Sequence, residues 1–207
     1  MRTHALLLSL AALTLFGQAK DQPTKPKVAF TTNLGSFVVE LEPDAAPETV
    51  KNFIGYVNLG HYKGTTFHRV IDNFMVQGGG YTETGELKPP KKPIVNEAAQ
   101  AQEKGLRNVR GSIAMARTSV PDSATSQFFI NVVDNDRLDY PSPDGYGYCV
   151  FGHVVSGMET IDAIRVVETG PNDQPVTPVV ISNASIAGPR PAPTPKKQAP
   201  KKPAQKK

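Results

Sequence analysis

The stretch Phe67-His-Arg-Val-Ile-Asp-Asn-Phe-Met-Val-Gln-Gly-Gly-Gly80 decides how the rest of this chain is interpreted. Two short runs of β-forming residues lie on either side of Asp72-Asn73, a pair that is typical of a turn. The glycines are expected to end the second run. The stretch therefore predicts a β-hairpin.

Side chains in a strand alternate between two faces, so the turn determines which residues of the hairpin share a face. If the turn preserves the register, Arg69, Ile71, Met75 and Gln77 line one patch, and Phe74 lies beside them at the bend. Such a mixture is unusual for a core, because a buried arginine or glutamine needs hydrogen-bond partners. The alternative is that Arg69 and Gln77 lie on a solvated face. The hairpin alone favours neither arrangement.

Four motifs then occur in order along the chain. They are Phe67-His-Arg-Val-Ile with Phe74-Met-Val-Gln-Gly-Gly, Ala114-Met-Ala, Ser126-Gln-Phe-Phe-Ile and Val150-Phe-Gly-His-Val. Together they resemble the cyclophilin family of peptidyl-prolyl isomerases and span nearly all of residues 28–186. One such motif would be a weak signal, whereas four in the family's order are highly specific.

The remaining pattern is that of a mainly β protein. Many short β-like runs accompany only two helical segments, which indicates a barrel. The first runs form a hairpin over residues 28–41, residues 94–97 form a short strand, and residues 179–186 form the closing strand. The resemblance implies a closed eight-stranded antiparallel barrel capped by two α-helices, one at each end.

The two helices have recognisable starts. In the first, Asp44 can act as N-cap, Pro47 is tolerated in the first turn and Gly60 can end the helix. Its apolar residues follow at helical spacing, namely Val50, Phe53, Ile54 and Val57. Ser156 can cap the second helix, whose apolar residues are Met158, Ile161 and Ile164.

The chain of 207 residues divides into four parts. Residues 1–19 have the polar start, short apolar run and small residues of a secretory signal, with cleavage expected after Ala19. Residues 20–27 form a linker, residues 28–187 form the cyclophilin-type domain, and residues 188–207 form a disordered tail rich in proline and lysine. We expect a monomer that is periplasmic or secreted; an uncleaved N-terminal anchor is the minor alternative.

Charge is unevenly distributed along the chain. All 19 acidic residues lie between residues 20 and 188, whereas seven of the 23 basic residues follow Gly188. The domain is therefore acidic, which argues against specific nucleic-acid binding. The tail is expected to be solvated, and its alternative role is electrostatic attraction to anionic surfaces. The single cysteine, Cys149, is expected to be a small buried apolar residue.

The residues of the hairpin favour chemistry without bond cleavage. Arg69 cannot act as a base, and the four histidines lack metal-ligand spacing. Rotation about a prolyl peptide bond needs neither, and no cofactor is expected. Its barrier of about 18–20 kcal/mol comes from amide resonance. Resonance is lost in the twisted state, so a donor placed at the prolyl nitrogen stabilises that state selectively.

The resemblance implies a role for each site residue. Arg69 is the donor, Gln77 binds substrate backbone and helps to position Arg69, and an apolar pocket holds the proline ring. The predicted catalytic residues are Arg69, Phe74, Gln77 and Phe129, and the predicted substrate-binding residues are Met75, Ala116, Gln127, Leu138 and Tyr148. Taken singly, Phe129 is more typical of a core than of a pocket, Leu138 is typical of a loop anchor, and His68 is more typical of a hydrogen-bonded structural residue than of a catalyst.

Two positions depart from the family pattern. Arg137 replaces the pocket tryptophan that cyclosporin binding uses in the family, and Tyr148 stands where many eukaryotic members have histidine. With the N-terminal signal, these changes resemble a bacterial periplasmic cyclophilin. The expected function is isomerisation of Xaa-Pro bonds during folding of exported proteins, with proline-containing peptides and unfolded exported chains as partners. The alternatives are a proline-binding chaperone or an envelope adaptor, neither with turnover.

Overall fold

A computed structural model of the protein describes residues 25–188. Eight strands form one closed antiparallel barrel. The strands are Lys27–Thr32 (β1), Gly35–Leu41 (β2), Thr65–Ile71 (β3), Met75–Thr82 (β4), Ser112–Met115 (β5), Phe128–Asn131 (β6), Val150–Ser156 (β7) and Val179–Ala187 (β8). They are hydrogen-bonded in the order β1-β2-β7-β5-β6-β4-β3-β8, and β8 pairs with β1. The predicted closed eight-stranded barrel is confirmed.

Aromatic side chains fill the interior of the barrel. The rings of Phe30 and Phe37, which face each other across the β1–β2 hairpin, are stacked with centroids 4.9 Å apart. Phe53 packs against Phe30 and Phe151 with centroids 6.2 and 4.9 Å apart. Each fully buried side chain of this size contributes about 1.5–3 kcal/mol before entropy is subtracted. The inward-facing residues of all eight strands, together with apolar residues of the helices, form the core.

The first helix, α1, comprises Pro47–Asn58, but Asp44 does not cap it. The backbone N–H groups of Glu48 and Thr49 instead donate to the carboxylate of Glu97, at 3.1 and 2.8 Å. The predicted cap was wrong because a carboxylate 48 residues away in the chain satisfies these donors. The carboxylate also lies favourably at the positive end of the helix dipole.

A second short helix, α2, comprises Ala98–Glu103 and was not predicted. The predicted strand over residues 94–97 is wrong. Ile94 forms an isolated bridge with Ala124. Two residues later, the backbone N–H of Asn96 donates a hydrogen bond to the side chain of Asp122 at 2.8 Å. Because this acceptor is a side chain and not the backbone of a neighbouring strand, the bridge at Ile94 is not extended into a strand.

The third helix, α3, comprises Met158–Arg165 and was predicted, although its cap was not. Ser156 is the last residue of β7, and the N-cap is Gly157 with φ of +83°. A β-carbon at residue 157 would collide with the backbone of Ser36 and Phe37. Close approach of β2 therefore requires glycine here.

The glycine run lies inside β4 and does not end it, contrary to the sequence-based expectation. A β-carbon on Gly79, whose φ is +85°, would lie 2.9 Å from the rings of Phe128 and Tyr62. One on Gly80 would lie 2.5 Å from the side chain of Gln127. The glycines thus make room for side chains that cross the strand.

The predicted signal, the start of the linker and the tail beyond Gly188 lie outside the described residues. Lys27, the last residue of the predicted linker, already belongs to β1. Within residues 25–188, no helix is long and apolar enough to cross a membrane.

Candidate functional site

The β3–β4 hairpin has the register that the sequence predicts. Arg69 pairs with Gln77, and Ile71 pairs with Met75. Because directly paired residues project from the same face of a sheet, all four lie on one side. That side is the outside of the barrel, since Val70 and Val76, which alternate with these residues, belong to the interior core.

An outer pocket of about 120 Å³ lies on this face. Its walls contain eight of the nine predicted site residues and Arg117. They are Arg69, Phe74, Met75, Gln77, Ala116, Arg117, Phe129, Leu138 and Tyr148. The ninth predicted residue, Gln127, lies beside this set. The fold therefore brings together residues that are up to 79 positions apart in the chain, from Arg69 to Tyr148.

The floor of the outer pocket is apolar. Met75 and Phe129 are 2% and 4% exposed and belong to an apolar cluster separate from the barrel interior. The ring of Tyr148 packs edge-on against Phe129, with centroids 5.8 Å apart. Such a floor suits an apolar ring of modest size and offers little to a charged group.

A network of asparagine side chains fixes the loop that supplies Leu138. Asn131 donates to Ser112 Oγ at 2.8 Å, and Asn135 donates to Asn131 Oδ1 at 2.6 Å. Asn135 also donates to the backbone oxygen of Phe74 at 2.9 Å, which ties the loop to the hairpin turn. Two pocket walls are thereby held against each other by hydrogen-bonded amides, of which Asn131 is buried and Asn135 half-buried.

Arg117 is a pocket residue that the sequence did not single out. Its side chain is only 3% exposed, and its guanidinium lies 4.3 Å from the ring centroid of Tyr148. It donates to the backbone oxygen of Gly147 and forms an ion pair with Asp144. The hydrogen bond from Arg117 lowers the pKa of Asp144 to about 2. The only sequence feature that could have pointed to Arg117 is its position directly after the predicted site residue Ala116.

Arg69 is held differently from the expectation. Its Nε donates to Asp173 Oδ2 at 3.2 Å, and its side chain is 43% exposed. Gln77, expected to help position it, instead donates to Gln127 Oε1 at 3.1 Å. The hydrogen bonds of residues 25–188 include none between Gln77 and Arg69 side chains. Asp173 was missed because it lies 104 residues further along the chain.

A larger cavity of about 400 Å³ adjoins the outer pocket, and Arg69 and Gln77 line both. Gln127 lies here, together with His68, Tyr81 and residues of the 172–178 loop.

His68 packs edge-on against Tyr81, with ring centroids 4.7 Å apart. Its buried Nδ1 has no hydrogen-bond partner within the described residues. Burial lowers the pKa of His68, so the ring is neutral at pH 7.

Two further residues are placed away from the chemistry. Arg137 is exposed and does not line the outer pocket. Cys149 is buried in the interior core, and burial raises the pKa of its thiol to about 12. Across residues 25–188, no group of three His, Cys, Asp or Glu side chains is placed to hold a metal ion.

Comparisons with known proteins place this geometry in a family. The model for "Cyclophilin type peptidyl-prolyl cis-trans isomerase/CLD" matches residues 27–186. Peptidyl-prolyl cis-trans isomerase A of Dickeya dadantii (strain 3937) is 49% identical over 189 residues, covering 89% of this chain and 97% of its own. Peptidyl-prolyl cis-trans isomerase B of Escherichia coli (strain K12) is 49% identical over 166 residues, covering 77% and 99%.

Solved structures agree with the fold. A crystal structure of a Cryptosporidium parvum cyclophilin type peptidyl-prolyl cis-trans isomerase has a TM-score of 0.64 and 26% identity. It covers 80% of this chain and 99% of its own. A second structure of that protein, in the presence of the dipeptide Ala-Pro, has a TM-score of 0.62. By these matches in sequence and fold, the chain belongs to the cyclophilin-type peptidyl-prolyl cis-trans isomerases.

Proposed function

We propose that this isomerase acts on Xaa-Pro bonds of exported proteins as they fold, with Arg69 as the catalytic donor and the outer pocket as the site of the proline ring. The observation that carries the proposal is the placement of a guanidinium and an apolar floor in one cavity of about 120 Å³. The dipeptide Ala-Pro, with which the Cryptosporidium parvum relative was crystallised, is consistent with a proline-containing substrate.

The apolar floor acts on the proline ring. Phe74, Met75, Phe129 and Leu138 offer carbon surface to the ring and no charged group. The pocket holds the proline ring in place while the part of the substrate before the proline rotates about the prolyl peptide bond. The reaction breaks no covalent bond, so it needs no nucleophile and no general base.

Arg69 acts on the bond that rotates. When the amide twists, its nitrogen becomes pyramidal and gains a lone pair that the planar amide lacks. A guanidinium donor interacts with that lone pair more strongly in the twisted state than in either planar state, which lowers the barrier. A guanidinium carries N–H donors and no acceptor, so Arg69 acts only as a hydrogen-bond donor.

Amide groups at the edge of the pocket act on the client backbone. Gln77 and Gln127 are hydrogen-bonded to each other at 3.1 Å and line the larger cavity. Each carboxamide keeps further donor or acceptor capacity for a peptide N–H or C=O. The flanking part of the client chain thus has a polar surface beside the apolar pocket.

Isomerase action is tested by cis-to-trans relaxation of a short Xaa-Pro peptide with the purified full chain and its Arg69→Ala variant. The variant is expected to lose about 100- to 1000-fold in kcat/KM, the scale for removing one preorganised donor. Arg107→Ala is the matched control, since Arg107 is similarly exposed at 48% and paired with Asp139, but lines neither cavity. Equal rates for Arg69→Ala and the wild type would contradict the Arg69 mechanism. Inactivity of both, with retained peptide binding, would favour the chaperone alternative.

The exported setting rests on the signal-like residues 1–19 and has its own test. Expression of the full chain in a Gram-negative host is expected to give a protein in the periplasmic fraction that begins at Lys20. Recovery of the uncleaved chain in the cytoplasm would contradict export and leave the isomerase mechanism unaffected.

A further inference from the structure

The loop that follows α3 delivers a carboxylate to the proposed catalytic arginine. Asp173 Oδ2 accepts a hydrogen bond from Arg69 Nε at 3.2 Å. Within residues 25–188, the Arg69 side chain makes no other hydrogen bond. Because it uses Nε, the two terminal amino groups of the guanidinium stay available to a substrate.

The backbone of this loop is held in an uncommon conformation. Asn172 and Asp173 have φ of 61° and 60°, in the left-handed region that non-glycine residues seldom adopt. Such a conformation costs free energy and persists where the surroundings impose it, often at functional sites. Here, hydrogen bonds from Gly170 N to Gln174 O at 2.8 Å and from Val176 N to Glu168 O at 2.9 Å close the loop. These bonds fix the backbone from which the Asp173 side chain extends toward Arg69.

The contribution of this ion pair to stability is expected to be small. The two side chains are 43% and 46% exposed, and exposed pairs of this kind add little to the free energy of unfolding. Orientation is a different matter, because a small displacement of a catalytic group costs far more in rate than in stability. A side contact at Nε restricts rotation of the guanidinium about the end of its long, flexible stem.

We infer that Asp173 is a positioning residue that holds the Arg69 guanidinium in its reacting orientation. The inference rests on the proposed role of Arg69. Asp173 acts through the arginine, so its removal slows the rotation step and leaves peptide affinity nearly unchanged.

The test separates rotation from binding. Line-shape analysis of a proline peptide by NMR gives the on-enzyme exchange rate and the dissociation constant for each variant. Asp173→Ala is expected to slow exchange about tenfold, with the dissociation constant within about twofold of wild type. Asp173→Asn keeps an oxygen acceptor for Nε, so its exchange rate is expected to stay within about threefold of wild type. Thermal unfolding of each variant verifies that it is folded.

A double-mutant cycle shows whether Asp173 acts through Arg69. Adding Asp173→Ala to the Arg69→Ala variant is expected to cause no further loss, since the group being positioned is already gone. The matched controls are Asp72→Ala and Asp72→Asn. Asp72 lies in the turn of the same hairpin and pairs with Arg165 at 2.6 Å outside both cavities, so its variants are expected to keep wild-type exchange.

Four results would overturn the inference. They are wild-type exchange in Asp173→Ala, an equal loss in the Arg69→Ala background, a rise in the dissociation constant that accounts for the slower rate, and an Asp173→Asn variant as slow as Asp173→Ala. A fully active Arg69→Ala variant would instead contradict the proposed function itself, and with it this inference.

Discussion

Two adjacent phenylalanines on β6 lie on opposite sides of the barrel wall and have different surroundings. Phe128 is 0% exposed and points inward, with its ring centroid 5.7 Å from Phe53 and 5.5 Å from Tyr62. Phe129 is 4% exposed and points outward, against Met75 and the ring of Tyr148. Burial alone does not distinguish them.

What differs is what covers each ring. Phe128 packs against four aromatic rings of the interior core, so its contacts serve the fold. Phe129 adjoins a cavity of about 120 Å³ whose rim includes Arg69 and Gln77. We therefore propose that Phe129 serves binding rather than core packing, because it is a buried apolar side chain beside a cavity with polar groups on its rim.

The largest expected effect comes from truncating the inward ring. Phe128→Ala should lower the free energy of unfolding by about 3–5 kcal/mol, because it removes apolar contacts and leaves an internal cavity. Urea unfolding followed by tyrosine fluorescence or circular dichroism measures this loss. The fraction that remains folded should keep kcat/KM within severalfold of wild type. A larger loss of turnover in fully folded protein would break the distinction between the two faces.

A smaller loss of stability and a larger loss of activity are expected for the outward ring. Phe129→Ala enlarges a cavity that is already open, so the free energy of unfolding should fall by about 1–3 kcal/mol. The proline ring loses its main apolar surface, which should lower kcat/KM about 10- to 100-fold. Relaxation of an Xaa-Pro peptide and urea unfolding, run on both phenylalanine variants, give the comparison. Unimpaired turnover in Phe129→Ala would contradict the assignment of the outer pocket.

The smallest expected effect concerns pH and the rim of the outer pocket. Asp144 has a pKa lowered from 3.8 to about 2 by its hydrogen bond with Arg117, which covers Tyr148. A carboxyl with a lowered folded-state pKa stabilises the fold above its unfolded pKa. This contribution should therefore be complete above about pH 4 and lost as the pH falls toward 2. Because Asp144 is exposed, it is worth about 0.2–1 kcal/mol.

Asp144→Asn should remove this part of the pH dependence, measured as the free energy of unfolding at pH 6 and pH 3. The control is Asp136→Asn, an exposed carboxylate that makes no ion pair within residues 25–188. Identical pH dependence in wild type and Asp144→Asn would show that the Arg117–Asp144 pair does not contribute. The interior around Phe128 should be insensitive to either change.

Local pattern was sufficient for most of the elements and for the faces of the hairpin. The alternation around the Asp72-Asn73 turn predicted that Arg69 would share a face with Gln77, and the register confirms it. It left open whether that face was solvated. The order of four motifs resolved the question, and eight of the nine predicted site residues line the outer pocket.

Contacts between distant segments were beyond local pattern. Asp44 and Ser156 are reasonable caps by spacing, yet Glu97 caps α1 from another segment and Gly157 begins α3. Gln77 was expected beside Arg69, but the barrel brings Gln127 to Gln77 and Asp173 to Arg69. Most errors concern a hydrogen-bond partner, and two concern elements: the unpredicted helix α2 and the strand predicted over residues 94–97.

The sequence by itself predicted most of the strand and helix pattern, eight of the nine residues that line the outer pocket, and the family, because periodicity and motif order are properties of the chain. Only the tertiary structure decided which polar groups meet. A hydrogen bond needs its partners within about 3 Å, a condition that barrel closure sets and sequence separation does not. Asp173, 104 residues from Arg69, becomes its neighbour for that reason alone.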